Sequence, residues 1–117
     1  MALLATAIPI LPGKTEQWTA FMAELAGPRL RQFEASREAM GVRERTFMQH
    51  TPDGDVVIVT LEGEDPASAF GSFGQGIDDF TRWFVGQVKD CHGIDMTSAM
   101  PTPLPHLLID SSASVRV

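Results

Sequence analysis

The sequence lacks, or nearly lacks, several residue types on which protein chemistry often depends. Tyrosine is absent and cysteine occurs once, as Cys91. No tyrosine can therefore act as an acid, a base or an oxyanion donor, and neither an internal disulfide nor a metal site of several cysteines can form. A single cysteine is typical of a reducing compartment, so we expect a cytoplasmic protein.

Positive charge is also scarce. Lys and Arg number 9 against 15 Asp and Glu, which gives a net charge of −6. A duplex-binding domain attracts phosphates through clustered Lys and Arg, so nucleic acid is not an expected partner. No apolar run approaches the ~20 residues of a bilayer-spanning helix, and no basic region accompanies the apolar N-terminus. We therefore expect neither a membrane segment nor a signal peptide.

What the chain does contain is the composition of an ordinary globular protein, with 44% apolar and 21% charged residues. Its length suits one domain. We assign residues 1–110 to a single α+β domain and residues 111–117 to a flexible tail, because terminal segments of small polar residues are seldom held in place.

The first third of the chain predicts a strand followed by helix. Residues 3–11 are apolar and partly β-branched, which is typical of a strand. Thr15 is the predicted N-cap of the helix that follows. The apolar stripe of that helix repeats at helical spacing and consists of Trp18, Phe21, Met22 and Leu25. A Gly-Pro pair at 27–28 interrupts it, which predicts either one long kinked helix or two abutting helices, ending at Gly41.

The middle of the chain predicts a β-hairpin. Residues 42–51 and 55–63 flank the turn sequence Pro52-Asp53-Gly54, in which Pro sets the turn dihedral and Gly accepts positive φ. The second strand carries an unbroken run of Val and Ile, which is typical of a central strand covered on both faces.

The register of the hairpin decides which side chains share a face. If Thr51 opposes Asp55, one face is mixed and the other apolar. The mixed face then carries Glu44, Thr46, Met48 and His50 with Val56, Ile58, Thr60 and Glu62. The apolar face carries Phe47 with Val57, Val59 and Leu61, and we expect it to pack under the helices. The mixed face suits the lining of a cavity between two sheets.

The last third of the chain predicts two more helices and a strand. Asp65-Pro66 marks the start of a short helix, and Asp78 or Asp79 caps a longer one that ends at Gly93. Residues 106–110 are the predicted fourth strand. Right-handed crossovers place both helical connections on one face of a four-stranded antiparallel sheet. The opposite face stays uncovered, which predicts that the chain pairs with a second copy of itself.

With these elements the chain resembles the dimeric α/β-barrel superfamily of ferredoxin-like βαββαβ domains, and most of all its uncharacterised small bacterial members. The resemblance rests on element order over residues 3–110, on the hairpin turn and the Asp65-Pro66 helix start, and on the helix sequence Phe-Thr-Arg-Trp-Phe at 80–84. It implies a homodimer in which two sheets pair. Relatives include cofactor-independent monooxygenases, haem-degrading monooxygenases, lactone isomerases and stress proteins. The haem-degrading relatives use an Asn, and this chain has none.

The candidate catalytic residues are His50 and Glu44. His50 supplies an imidazole that titrates near neutral pH on the predicted mixed face. Glu44 faces Glu62 in the predicted register, and two adjacent carboxylates raise one pKa and form an acid and base pair. A hairpin-end histidine with a local partner and two solvated carboxylates remain the alternative interpretations.

The candidate ligand contacts are Met48, Thr60 and Glu62 on the mixed face and Trp18 on the first helix. No cofactor and no metal site are predicted, since Cys91 and His92 lack further ligands at a recognisable spacing. Two functions stay open. The first is a homodimer that binds a small, largely apolar molecule, as a cofactor-independent monooxygenase or isomerase-like enzyme. The alternative is a non-catalytic structural or stress-response dimer.

Overall fold

The computed structural model describes residues 2–98 and 103–112. Within them the chain is mixed α+β. The elements in chain order are β1 (Ala2–Pro9), α1 (Thr15–Ala26), α2 (Leu30–Ala39), β2 (Val42–Thr51), β3 (Gly54–Gly63), α3 (Pro66–Ser72) and α4 (Asp79–His92). None of the described helices is long and apolar enough to cross a membrane.

The three described strands form one antiparallel sheet in the order β1-β3-β2. The central place of β3 agrees with its apolar run. The hairpin is confirmed, but its predicted register is wrong by one residue, because Thr51 pairs with Gly54 rather than with Asp55. The loop therefore holds Pro52 and Asp53 alone, and Gly54, at φ 127°, already belongs to β3.

This register exchanges the partners of every side chain along β2. Glu44 pairs with Leu61, Thr46 with Val59 and Met48 with Val57. These rows form the inner face of the sheet, which packs under the helices. The outer face carries Leu3, Arg43, Arg45, Phe47, Val56, Ile58, Thr60 and Glu62. Leu3 and Phe47 are 57% and 54% exposed there, so Phe47 does not pack under the helices as predicted.

The helices begin and end largely where the sequence places them. The Gly-Pro interruption separates two helices, α1 and α2, rather than kinking one. Asp65 and Asp78 cap α3 and α4 by accepting hydrogen bonds from backbone N–H groups. Thr15 is not an N-cap as predicted, because its hydroxyl instead donates to Asp55 Oδ2 at 2.6 Å. That bond ties the start of α1 to β3.

The core lies between the inner face of the sheet and the four helices. Phe21 of α1 meets the rings of Trp83 and Phe84 of α4 edge to face, with 5.3 Å between centroids in both pairs. Leu61 in the sheet and Cys91 in α4 are almost completely buried. Burial, together with the nearby Asp90 carboxylate, raises the pKa of the Cys91 thiol, so Cys91 serves as a small apolar core residue.

The predicted fourth strand is not formed. Residues 106–110 have no regular structure and pair with no described strand. Leu107, Leu108 and Ile109 are 64%, 85% and 86% exposed. A strand needs a neighbouring strand to satisfy its backbone hydrogen bonds. Leu104 still packs against the core, but the residues that follow it do not. Of the predicted tail, residues 113–117 lie outside the described part of the chain.

Candidate functional site

A narrow cavity of about 50 Å³ lies between the inner face of the sheet and helices α1, α3 and α4, and it is partly open to solvent. Its lining is apolar apart from Glu44, Thr46 and His92. A second, larger hollow of about 410 Å³ shares Glu44, Thr46 and Trp18 with it and extends to Phe33 of α2. The cavity therefore continues towards the space between α1, α2 and strand β2.

Glu44 is the carboxylate of this cavity, and it is held in place at both oxygens. Arg37 Nε donates to Glu44 Oε1 at 2.6 Å, and the Thr46 hydroxyl donates to Oε2 at 3.2 Å. The side chains of Arg37 and Glu44 are each only 6% exposed. A carboxylate in apolar surroundings needs such partners, because an unpaired charge there loses its hydration without compensation.

The Arg37 side chain extends from helix α2 to Glu44 and is surrounded by three aromatic rings. Its guanidinium carbon lies 3.8 Å from the ring centroid of Phe73, 4.7 Å from that of Phe84 and 4.9 Å from that of Phe33. Its Nη1 donates to Ser36 Oγ at 2.9 Å, whereas its buried Nη2 has no partner among the described residues. The rings and Glu44 together hold a cation that the helix presents to the core.

His92 is the third polar residue of the cavity and ends helix α4. Its Nδ1 lies 2.8 Å from the carbonyl oxygen of Pro9, the last residue of β1. Burial lowers the pKa of His92 below its usual value, and the bond to the Pro9 carbonyl opposes this only in part. His92 is therefore a neutral imidazole near pH 7.

Two of the residues predicted for the site line this cavity, namely Glu44 and Trp18. Met48 lies on the same inner face and packs against the core, outside the cavity lining. Thr60 and Glu62 lie on the outer face, away from the helices as predicted, whereas the register moves Glu44 and Met48 from that face to the inner one. Glu62 pairs there with Arg45 at 3.7 Å, so the predicted pair of facing carboxylates, Glu44 and Glu62, is not formed.

His50 lies at the turn end of the hairpin, with a side chain 74% exposed. Its Nδ1 is 2.6 Å from Asp55 Oδ1, and the second oxygen of Asp55 accepts from Thr15. The hydrogen bond from Thr15, followed by that from His50, lowers the pKa of Asp55. This geometry matches the alternative interpretation of a hairpin-end histidine with a local partner.

Sequence reasoning did not name Arg37, Thr46 or His92 as site residues, although it placed Thr46 on the face expected to line a cavity. For two of them a signal exists in the helical spacing. Arg37 continues the stripe of Leu30 and Phe33 in α2, and His92 continues the stripe of Phe84 and Val88 in α4. A polar residue at the next position of an apolar stripe is thereby placed on the buried face.

The described residues contain no group of three or more His, Cys, Asp or Glu side chains arranged to hold a metal ion. Comparisons of the chain with protein-family models, with curated proteins and with solved structures found no match.

Proposed function

We propose that the protein binds a small, largely apolar molecule in the cavity between its sheet and its helices. The observation that carries this proposal is the lining: a narrow apolar cavity that continues into a hollow of about 410 Å³, with one fixed carboxylate, Glu44, on the wall of both. Small-molecule sites are typically apolar hollows of a few hundred Å³ with a few well-placed polar groups. The apolar walls favour the body of a ligand, and Glu44, Thr46 and His92 orient it.

The same arrangement supports a reaction without a cofactor. A carboxylate beside an apolar substrate is a base for proton abstraction, which is the first step of an isomerisation or of a cofactor-independent monooxygenation. In this proposal Glu44 takes the proton, and Arg37 and Thr46 keep its carboxylate in position. His50, the other predicted catalytic residue, takes no part, because it is bound to Asp55 at the hairpin end.

The second candidate function is a non-catalytic structural or stress-response dimer. The observation that favours it is that Glu44 and His50 are each occupied by a neighbouring side chain. Under this alternative the Arg37–Glu44 pair only fixes α2 against the sheet, and the cavity binds nothing.

Both functions are proposed for a ferredoxin-like homodimer. The outer face of the sheet exposes Leu3 and Phe47, and Ile58 of the central strand pairs with Phe47. Apolar surface of this kind is typically covered by a partner. Strand β1 is an edge strand of the described sheet. We propose that the apolar residues 107–109 pair along that edge in the dimer, completing the fourth strand.

The test of ligand binding uses N-phenyl-1-naphthylamine, an apolar dye whose fluorescence rises in apolar surroundings. We expect saturable binding to the wild-type protein and a loss of at least about tenfold in affinity for Val88→Phe, which fills the cavity beside His92. Val85→Phe is the matched control, because Val85 lies on the same helix outside the cavity lining. Saturable binding that both variants retain would place the dye elsewhere and contradict the proposal.

A further inference from the structure

His92 presents two different nitrogens, and the structure fixes the role of each. A backbone carbonyl only accepts hydrogen bonds, so the contact with the Pro9 oxygen requires a proton on Nδ1. Neutral imidazole carries one N–H, which leaves Nε2 with a free lone pair. Burial favours this neutral form by lowering the pKa of the ring. His92 is thus held as a hydrogen-bond acceptor.

The free nitrogen, Nε2, is part of a ring that lines the cavity. His92 is one of its lining residues, together with the apolar Ile8, Ile94 and Met96. Within residues 2–98 and 103–112, the hydrogen bond of its ring is the one to Pro9. An acceptor in apolar walls that has no protein donor is satisfied by water or by a donor group of a ligand.

His92 and Glu44 lie towards opposite ends of the sheet. Paired residues form rows across the three strands. One row consists of Pro9, Val56 and Gln49, and another of Leu4, Leu61 and Glu44. The two rows are five residues apart along each strand, which corresponds to roughly 17 Å at about 3.4 Å per residue. The His92 ring and the Glu44 carboxylate are therefore positioned from different ends of the sheet, with Thr46 beside Glu44.

We propose that His92 Nε2 accepts a hydrogen bond from a hydroxyl or N–H group of the ligand, at the end remote from Glu44. This inference rests on the proposed function and names the ligand class: an elongated apolar alcohol, phenol or amine-type donor rather than a plain hydrocarbon or a carboxylate. The Nδ1–Pro9 bond orients the ring, and a donor group of the ligand replaces the water that otherwise satisfies Nε2. His92 is in this account a specificity residue.

The test compares 2-naphthol, which carries one hydroxyl donor, with 2-methoxynaphthalene, which has a similar shape and no donor. We expect wild-type protein to bind both. His92→Leu should weaken binding of 2-naphthol by roughly 5- to 10-fold, the worth of one hydrogen bond, and change binding of 2-methoxynaphthalene by less than about 2-fold. His50→Leu is the matched control and should leave both affinities unchanged, because His50 lies at the hairpin end.

The possible outcomes separate this inference from the proposed function. If wild-type protein binds neither probe, the ligand class named here is wrong, and the dye titration alone then decides the proposed function. If both probes bind and His92→Leu affects them equally or not at all, the role of His92 is overturned while the cavity remains a binding site. A ¹⁵N spectrum of wild-type protein covers the case in which His92→Leu does not fold. Bound 2-naphthol should shift the Nε2 signal of His92, and an unchanged signal at saturation contradicts the proposal.

Discussion

The molecule contains two acid–base pairs of the same length in very different surroundings. Arg37 Nε and Glu44 Oε1 are 2.6 Å apart, and so are His50 Nδ1 and Asp55 Oδ1. The first pair is 6% exposed on both sides, whereas the side chain of His50 is 74% exposed and that of Asp55 22%. The two pairs therefore differ in the strength of their electrostatic interaction despite their equal length, because water screens the second pair and is excluded from the first.

The difference also separates two kinds of role. At the hairpin end, Asp55 joins His50 to Thr15, so the pair fastens the turn to helix α1. At the cavity, Glu44 joins α2 to β2 and also faces an apolar hollow. Burial marks Glu44 as the carboxylate whose chemistry is protected from solvent.

The largest expected effect comes from breaking the buried pair. Arg37→Met keeps most of the side-chain volume but leaves Glu44 buried without its cation. We expect the free energy of unfolding to fall by about 3–5 kcal/mol, the usual cost of stranding one member of a buried pair. Urea denaturation followed by tryptophan fluorescence measures this loss.

Two controls accompany this variant. The double change Arg37→Met with Glu44→Leu should recover most of the lost stability, since apolar replacements of a whole buried pair are often close to neutral. His50→Leu breaks the pair of equal length at the hairpin end and should move the urea midpoint little. A cost for His50→Leu as large as that of Arg37→Met would remove the distinction between the two pairs.

A smaller effect should appear in the pH dependence of stability. The pKa of His92 is lowered in the folded protein, so the unfolded chain binds the proton more readily. The stabilisation that the neutral ring contributes is therefore fully present above the pKa of the unfolded chain, about 6.5. It is lost progressively as the pH falls from there towards the pKa of the folded protein. We expect the stability of wild-type protein to decline over this interval more steeply than that of His92→Leu. Parallel pH profiles for the two proteins would show that His92 titrates as it does in the unfolded chain.

The hairpin shows how far the sequence leads and where it stops. The turn residues Pro52-Asp53-Gly54 identify a hairpin correctly, since Pro and Gly restrict the backbone to turn conformations. They are compatible with a loop of two or three residues, and one residue of difference moves Glu44 and Met48 to the face under the helices and Phe47 to the other face. Local propensity does not decide that choice, since Val57 and Val59 pack under the helices in either register and only the side of β2 that joins them differs.

The candidate site was only partly predictable for a related reason. Trp18 and Glu44 were named from their positions in a helix stripe and on a strand, and both line the cavity. Arg37 and His92 were not predicted as site residues, because charged and polar side chains are usually exposed. Their burial depends on long-range partners, Glu44 for one and the Pro9 carbonyl for the other, which lie 7 and 83 positions away in the chain.

The central claim, that the cavity under the helices is a ligand site, is tested most directly by methionine methyl signals. Met22 and Met96 line the cavity, whereas Met40 packs against the core outside it. In protein labelled with ¹³C at the methionine methyl groups, addition of N-phenyl-1-naphthylamine should shift the signals of Met22 and Met96 and leave that of Met40 in place. Saturable dye binding with unmoved Met22 and Met96 signals would contradict the account.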